Sequence, residues 1–255
     1  TSIIGTDEFD IFIEVNKLEE TIFKEYDYQA LRKKFLKAEL SYSLKKRLKV
    51  FLKLITKPIA VRSSSLFEDS ITQPFSGVFE TYILPNNHHD FDERYRQLMN
   101  AIKLVFASIY SQNARTYFKA IGHKIEEEKM AVVLQEVVGN QFADYYYPHI
   151  SGTAQSHNFY PVAHMKPDEG FSVAALGLGQ YVVEGEKAFR FSPSYPTLEI
   201  VSTKDLYKNS QVYFYAVNLA KENINLLEGE DAGLIKLDIG DSEKHGSLKH
   251  LASVY

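Results

Sequence analysis

Arg62 closes a short apolar run, Ile59-Ala60-Val61, and leads into Ser63-Ser64-Ser65 and then Glu68-Asp69. A guanidinium presents a planar fork of N–H donors that matches a phosphate or a carboxylate. Serine hydroxyls and backbone N–H groups supply the further donors that anion-binding loops use. These residues alone leave two readings open. One is a phosphate-holding edge. The other is a solvated polar loop in which Arg62 pairs with Glu68 or Asp69. Gly77 and Thr81 follow in Phe75-Ser-Gly77-Val-Phe-Glu-Thr81. A glycine lets backbone approach a phosphate closely, and a threonine hydroxyl donates to a phosphate oxygen. An ordinary loop uses the same residues.

Gln135 stands inside the near-continuous apolar run Met130–Val138. An amide there breaks the binary pattern and needs partners. It either faces a ligand or sits as a satisfied core or edge glutamine. Glu136 alternates to the other face. Ser151-Gly152-Thr153 opens a second polar region, and Gly177-Leu178-Gly179-Gln180 follows an apolar stretch. A lone G-x-G after a strand is weak evidence of phosphate binding. His88-His89 beside Asp90 offers imidazoles to a metal. Adjacent residues on a turn point apart and no third ligand is evident, so no metal site is expected there. His149, His157 and His164 lack ligand spacing, and no P-loop consensus is present.

The elements that must hold these residues follow from periodicity. Residues 1–57 read mostly as helix, with an apolar start of unclear type at Phe9–Val15. Leu44, Leu48, Phe51, Leu52 and Ile55 form a helical stripe, and Lys45, Lys46, Arg47, Lys49 and Lys53 form its solvated face. Pro58 ends that helix. Ile59–Val61 is a buried strand, the serines are a polar loop, and Val78–Leu84 is a second strand by alternation. Asp90 or Asp92 caps one long helix with the face Tyr95, Leu98, Ile102, Val105, Phe106 and Ile109, running to about Gly122. Met130–Val138 reads as a buried strand, as does Phe171–Leu176. The stretch after Lys221 has no clear pattern. Helices and strands mix throughout, so the class is α/β or α+β. The expected division is a helical leading segment at 1–57, a first lobe at 58–138 and a second at 139–255.

The chain has 255 residues, 45% hydrophobic and 24% charged, with a net charge of −4 and no cysteine. It is long enough for one large or two small domains. The charge gives no general attraction to nucleic acid or an anionic membrane, and neither partner is expected. No run reaches the length of a membrane span. The absence of cysteine excludes disulfides and thiolate metal sites in this segment. A cytoplasmic location is the expectation.

In order, V-R-S-S with E-D behind it, F-x-G with Thr81, V-V-x-Q at Gln135, and G-L-G-x-x-V-V-x-G at Gly177–Gly185 resemble the nucleotide-binding domain of pyruvate phosphate dikinase and phosphoenolpyruvate synthase. The resemblance covers residues 59–193. It implies an ATP-grasp fold in which two α/β lobes clamp Mg-ATP, passing a phosphoryl group to a histidine on a separate domain. It places Arg62, Ser63, Ser64, Gly77, Thr81, Gln135, Gly179 and Gln180 at the nucleotide, with Arg62 as the catalytic cation. Ser76, Val78 and Gln180 stand where the family usually has alanine, glutamine and glutamate. Loss of that carboxylate weakens any metal or acid–base role at Gln180. The family's glycine-rich loop with a lysine, its late acidic strand and its phosphohistidine domain are not found. The expectation is therefore a fragment of a phosphotransferase whose magnesium ligands lie outside it, inactive by itself. The alternative is a non-catalytic nucleotide-sensing or scaffolding module.

Overall fold

A computed structural model describes residues 1–65, 77–122, 124–162, 164–196 and 202–250. The chain forms two compact units. The first joins Thr1–Val137 to Lys221–Gly233, and the second joins Val138–Ala220 to Leu234–Tyr255.

The first unit is built on a four-stranded antiparallel sheet, β1 (Ser2–Ile4), β2 (Ile59–Ser65), β3 (Tyr82–Leu84) and β4 (Met130–Glu136), in the order β1-β4-β2-β3. Helices α1 (Thr6–Val15), α2 (Glu19–Lys24), α3 (Tyr28–Lys37) and α4 (Tyr42–Leu54) precede β2. The apolar start is thus α1, because Phe9, Phe12 and Ile13 fall on one helical face and bury it. In α4, Leu44, Leu48 and Leu52 are buried and the Ser41 hydroxyl caps the helix, accepting from Leu44 N–H at 3.0 Å.

The one long helix expected after Asp90 is two: α5 (Phe91–Ser108) and α6 (Gln112–Ile121). Ser111 explains the break. Its hydroxyl accepts from Ala114 N–H at 3.2 Å and starts a new helix. Gly122 ends α6 with φ 69°, as its position suggested. α5 is buried along most of its length by α3, α4 and the sheet. Phe106 packs against Phe9 and Phe12 at ring separations of 5.3 and 5.5 Å. One more correction concerns Val78–Leu84, of which only Tyr82–Leu84 pairs as a strand.

The serines depart from expectation too. β2 runs through Ser65, with Ser63, Ser64 and Ser65 paired to Val132, Ala131 and Met130. A long partner strand extends the ladder past the point where side-chain polarity suggested a loop.

The second unit holds two antiparallel sheets. One contains β5 (Asn140–Phe142), β6 (Tyr145–Tyr147), β10 (Tyr213–Asn218) and β11 (Leu234–Asp238), in the order β11-β10-β6-β5. The other is β7 (Ser151–Gln155), β8 (Phe171–Ala175) and β9 (Phe189–Phe191). Helices α7 (Gln180–Val183), α8 (Thr203–Lys208) and α9 (Ile239–Lys244) complete it. Tyr147, Leu176, Phe214, Ala216 and Leu237 form its core. The stretch after Lys221, patternless in sequence, supplies β11 and α9 here and the segment Lys221–Gly233 to the first unit. Among the described residues no helix is long and apolar enough to cross a membrane.

Candidate nucleotide site

β2 and β4 place the main candidates. Side chains alternate along a strand, and burial in β2 alternates strictly: Ile59, Val61, Ser63 and Ser65 are buried, whereas Ala60, Arg62 and Ser64 are more open. In β4, Met130, Val132 and Leu134 are buried, and Ala131, Val133 and Gln135 are half-buried. Register joins the open sets, pairing Ala60 with Gln135, Arg62 with Val133 and Ser64 with Ala131. Arg62, Ser64 and Gln135 therefore share one sheet face, floored by small and branched apolar side chains. Arg62 Nη1 lies 3.5 Å from Gln135 Oε1, at the long limit of a hydrogen bond. Among the described residues no carboxylate pairs with Arg62. Glu68 and Asp69, the partners considered from sequence, lie outside the described residues.

Ser63 is a correction. Its side chain is on the buried face, opposite Arg62, because one residue's step along a strand reverses the side chain. Only Ser64 of the candidate pair turns its hydroxyl to the Arg62 side.

Gly77 has φ 80°, a conformation that favours glycine, and a Cβ there would meet nothing within 4 Å. Its requirement is conformational, with no close approach shown. Thr81 immediately precedes β3, whose first residue, Tyr82, pairs with Val61 next to Arg62. The Thr81 backbone N–H donates to Glu230 Oε1 at 2.5 Å. Glu230 is exposed as a residue but turns its carboxyl inward, and burial of that carboxyl raises its pKa.

Behind this edge is a network that sequence reasoning missed. Arg32 of α3 is 2% exposed. It donates to Leu226 O at 2.8 Å, Leu227 O at 3.1 Å and Tyr82 Oη at 2.7 Å, and lies 4.0 Å from Glu80. Glu80 accepts from Tyr28 Oη at 2.8 Å and from Tyr82 Oη. Burial first, and the Glu80 charge second, hold the Tyr28 and Tyr82 phenols well above the ordinary range. The network ties α3, the approach to β3 and the segment Lys221–Gly233 together. Its one local signal was a charged residue beside the apolar positions Leu31 and Phe35; its partners are remote in sequence.

Gly179 and Gln180 belong to the second unit. Gly177 turns the chain after β8 with φ 85°, and a Cβ there would lie 2.8 Å from the Phe214 ring and from Tyr215 O. Leu178 N–H donates to Tyr215 O at 2.9 Å. Gly179 caps the single turn of α7, and Gln180 Nε2 donates to Glu184 Oε1 at 2.9 Å. Gln180 thus spends a donor on its own helix, as an amide in place of a carboxylate can.

At the turn before α5, the expectation for the histidines is also corrected. His88 and His89 stack at 4.4 Å instead of pointing apart, and Glu222 supplies the third donor that the local sequence lacked.

The mixed helix-and-sheet content fits an α+β nucleotide-binding domain. The family model for the pyruvate phosphate dikinase AMP/ATP-binding domain matches residues 1–245, and the chain belongs to that family. It is 31% identical over 186 residues to an uncharacterized phosphotransferase, YvkC, of Bacillus subtilis (strain 168), covering 72% of this chain and 20% of that protein. It is 26% identical over 223 residues to a phosphoenolpyruvate synthase of Aeropyrum pernix, covering 82% of this chain and 25% of that protein. The chain thus spans about a quarter or less of the length of these relatives.

Proposed function

We propose that this domain, in an ATP-grasp fold, binds ATP with its phosphates at Arg62, Ser64 and Gln135, and presents a phosphoryl group for transfer to a histidine on a separate domain of a phosphoenolpyruvate synthase-like phosphotransferase. The observation that carries the reading is Arg62 on the open sheet face, with an amide as its neighbour and no carboxylate partner among the described residues. A guanidinium so placed neutralises phosphoryl charge. Ser64 adds a hydroxyl donor and Gln135 an amide. The apolar floor beneath them lowers the local dielectric and strengthens each contact. Thr81 contributes its hydroxyl from the adjoining edge, and Gly77, Gly179 and Gln180 are secondary contacts.

Magnesium accompanies ATP in such chemistry and supplies charge neutralisation. Mg²⁺ prefers carboxylate and phosphate oxygens, and this face offers no carboxylate among the described residues. No step is assigned to the metal here.

The test is a thermal-shift titration with Mg-ATP, run beside Arg62→Ala. A ligand bound only to the folded state at 100 times its Kd stabilises by about 2.7 kcal/mol. The expected result is a dose-dependent rise that the variant loses. A rise of equal size in the variant removes Arg62 from the site, and no rise in the wild type overturns nucleotide binding by this chain.

A further inference from the structure

We infer that His88, His89 and Glu222 form a binding site for a borderline transition-metal cation of the zinc type, separate from the nucleotide face. Among the described residues this is the one group of three or more histidine, cysteine or acidic residues whose donor atoms all lie within 4.8 Å of one another. His89 Nδ1 is 3.5 Å from Glu222 Oε2, and the two imidazoles stack at 4.4 Å with planes 24° apart. Two imidazoles and a carboxylate form a donor set used for zinc with an open position left over.

The supporting backbone is already tied down. Asp90 N–H donates to His88 Nδ1 at 3.0 Å, and the Asp90 carboxylate caps α5, accepting from Asp92 N–H at 2.9 Å. Glu222 is fixed from the other side, since its carbonyl accepts from Gln97 Nε2 at 2.9 Å. Gln97 Nε2 also reaches Glu93 Oε1 at 3.2 Å. Both arms of the site therefore rest on α5. The His89 and Glu222 side chains are exposed, at 80% and 48%. Metal–donor bonds of about 2.0–2.1 Å separate tetrahedral donors by roughly 3.3 Å. Side-chain rotation closes the remaining gap, and exposure leaves room for it.

The chemistry selects the ion. Imidazole nitrogen suits zinc, nickel and cobalt, whereas magnesium takes oxygen ligands. The consequence is architectural. Glu222 lies in the segment that returns to the first unit from far along the chain, and this segment carries Glu230, the acceptor for Thr81 N–H. A cation at His88, His89 and Glu222 pins that segment to the turn before α5. Closing so long a loop removes conformational freedom from the unfolded chain.

The experiment is equilibrium titration of the metal-free protein with Zn²⁺, with Mg²⁺ as a control, on the wild type, His89→Ala, Glu222→Gln and His157→Ala. The expected result is one saturable zinc per chain that Mg²⁺ does not displace. Changing groups that only support a ligand weakens metal affinity 10–100-fold, so losing a ligand is expected to cost at least tenfold in His89→Ala and Glu222→Gln. His157→Ala, in the second unit, is expected to match the wild type. Thermal denaturation gives an independent readout: zinc raises the wild-type Tm, a chelator reverses the rise, and at the same zinc concentration the rise in Glu222→Gln is smaller. Absence of saturable binding overturns the inference, as does wild-type affinity in both ligand variants.

Discussion

Arg62 and Gln135 project from neighbouring strands onto one sheet face, with Nη1 3.5 Å from Oε1. The contact is long enough for a ligand oxygen to displace it at little cost. If phosphate is the ligand, Ser64→Ala and Gln135→Leu weaken Mg-ATP binding on the order of tenfold each, since a hydrogen bond to a charged group contributes about 1.5–3 kcal/mol. Ser63→Ala, on the buried face, acts on unfolding free energy and leaves affinity unchanged. Calorimetric titration of the three variants, with urea unfolding beside it, separates the two faces. Equal affinity losses at Ser63 and Ser64 would contradict the alternation on which the site rests.

Arg32 is the most consequential buried charge in the first unit. Arg32→Met leaves Glu80 without its cation and the Leu226 and Leu227 carbonyls without their donor. Removing one partner of a buried pair costs about 3–5 kcal/mol. Tyr28→Phe removes one donor to Glu80 and is expected to cost about 1 kcal/mol. Urea denaturation checks both. Because Arg32 anchors Lys221–Gly233, amide exchange in that segment is expected to rise in Arg32→Met before exchange in β4 does.

Lys103 offers a test by pH. Its side chain is buried in α5, and Nζ donates to Leu36 O at 3.0 Å, near the C-terminus of α3. Burial lowers its pKa. The native state therefore releases this proton at lower pH than the unfolded chain, whose lysines titrate near 10.4. Between the two values the unfolded state holds more protons, so the Lys103 contribution to stability rises with pH across that window. Lys103→Met is expected to flatten the rise. At neutral pH its stability stays within about 1 kcal/mol of wild type, since the lost contact to the α3 carbonyl is offset by the uncharged core. Urea midpoints measured from pH 7 to 10.5 decide it; an unchanged slope excludes Lys103 as the source.

Gly177 is required by its backbone. At φ 85° a side chain is strained, and a Cβ would press on Phe214 and Tyr215 O at 2.8 Å. Gly177→Ala is expected to cost about 1–3 kcal/mol. For 150–250 residues each kcal/mol lowers Tm by about 2–4 °C. A variant melting with the wild type would show that the turn after β8 relaxes freely.

Local pattern alone determined a good part of this protein. The helical stripe at Leu44–Leu52, the buried strand at Met130, the end of a helix near Gly122 and the ordered motifs at Arg62, Gln135 and Gly177 were all legible, because each depends on a few consecutive side chains. Long-range pairing decided the rest. The serines after Arg62 became strand because β4 lay alongside to pair with them, and that pairing turned Ser63 away from Arg62 and Ser64 towards it. Arg32 with Glu80, Thr81 with Glu230, and His89 with Glu222 join residues far apart in the chain. No local period encodes such contacts, and the last two exist only once the segment from Lys221 to Gly233 has returned to the first unit, where burying Ile224, Leu226 and Ala232 holds it against the entropy of closing the loop.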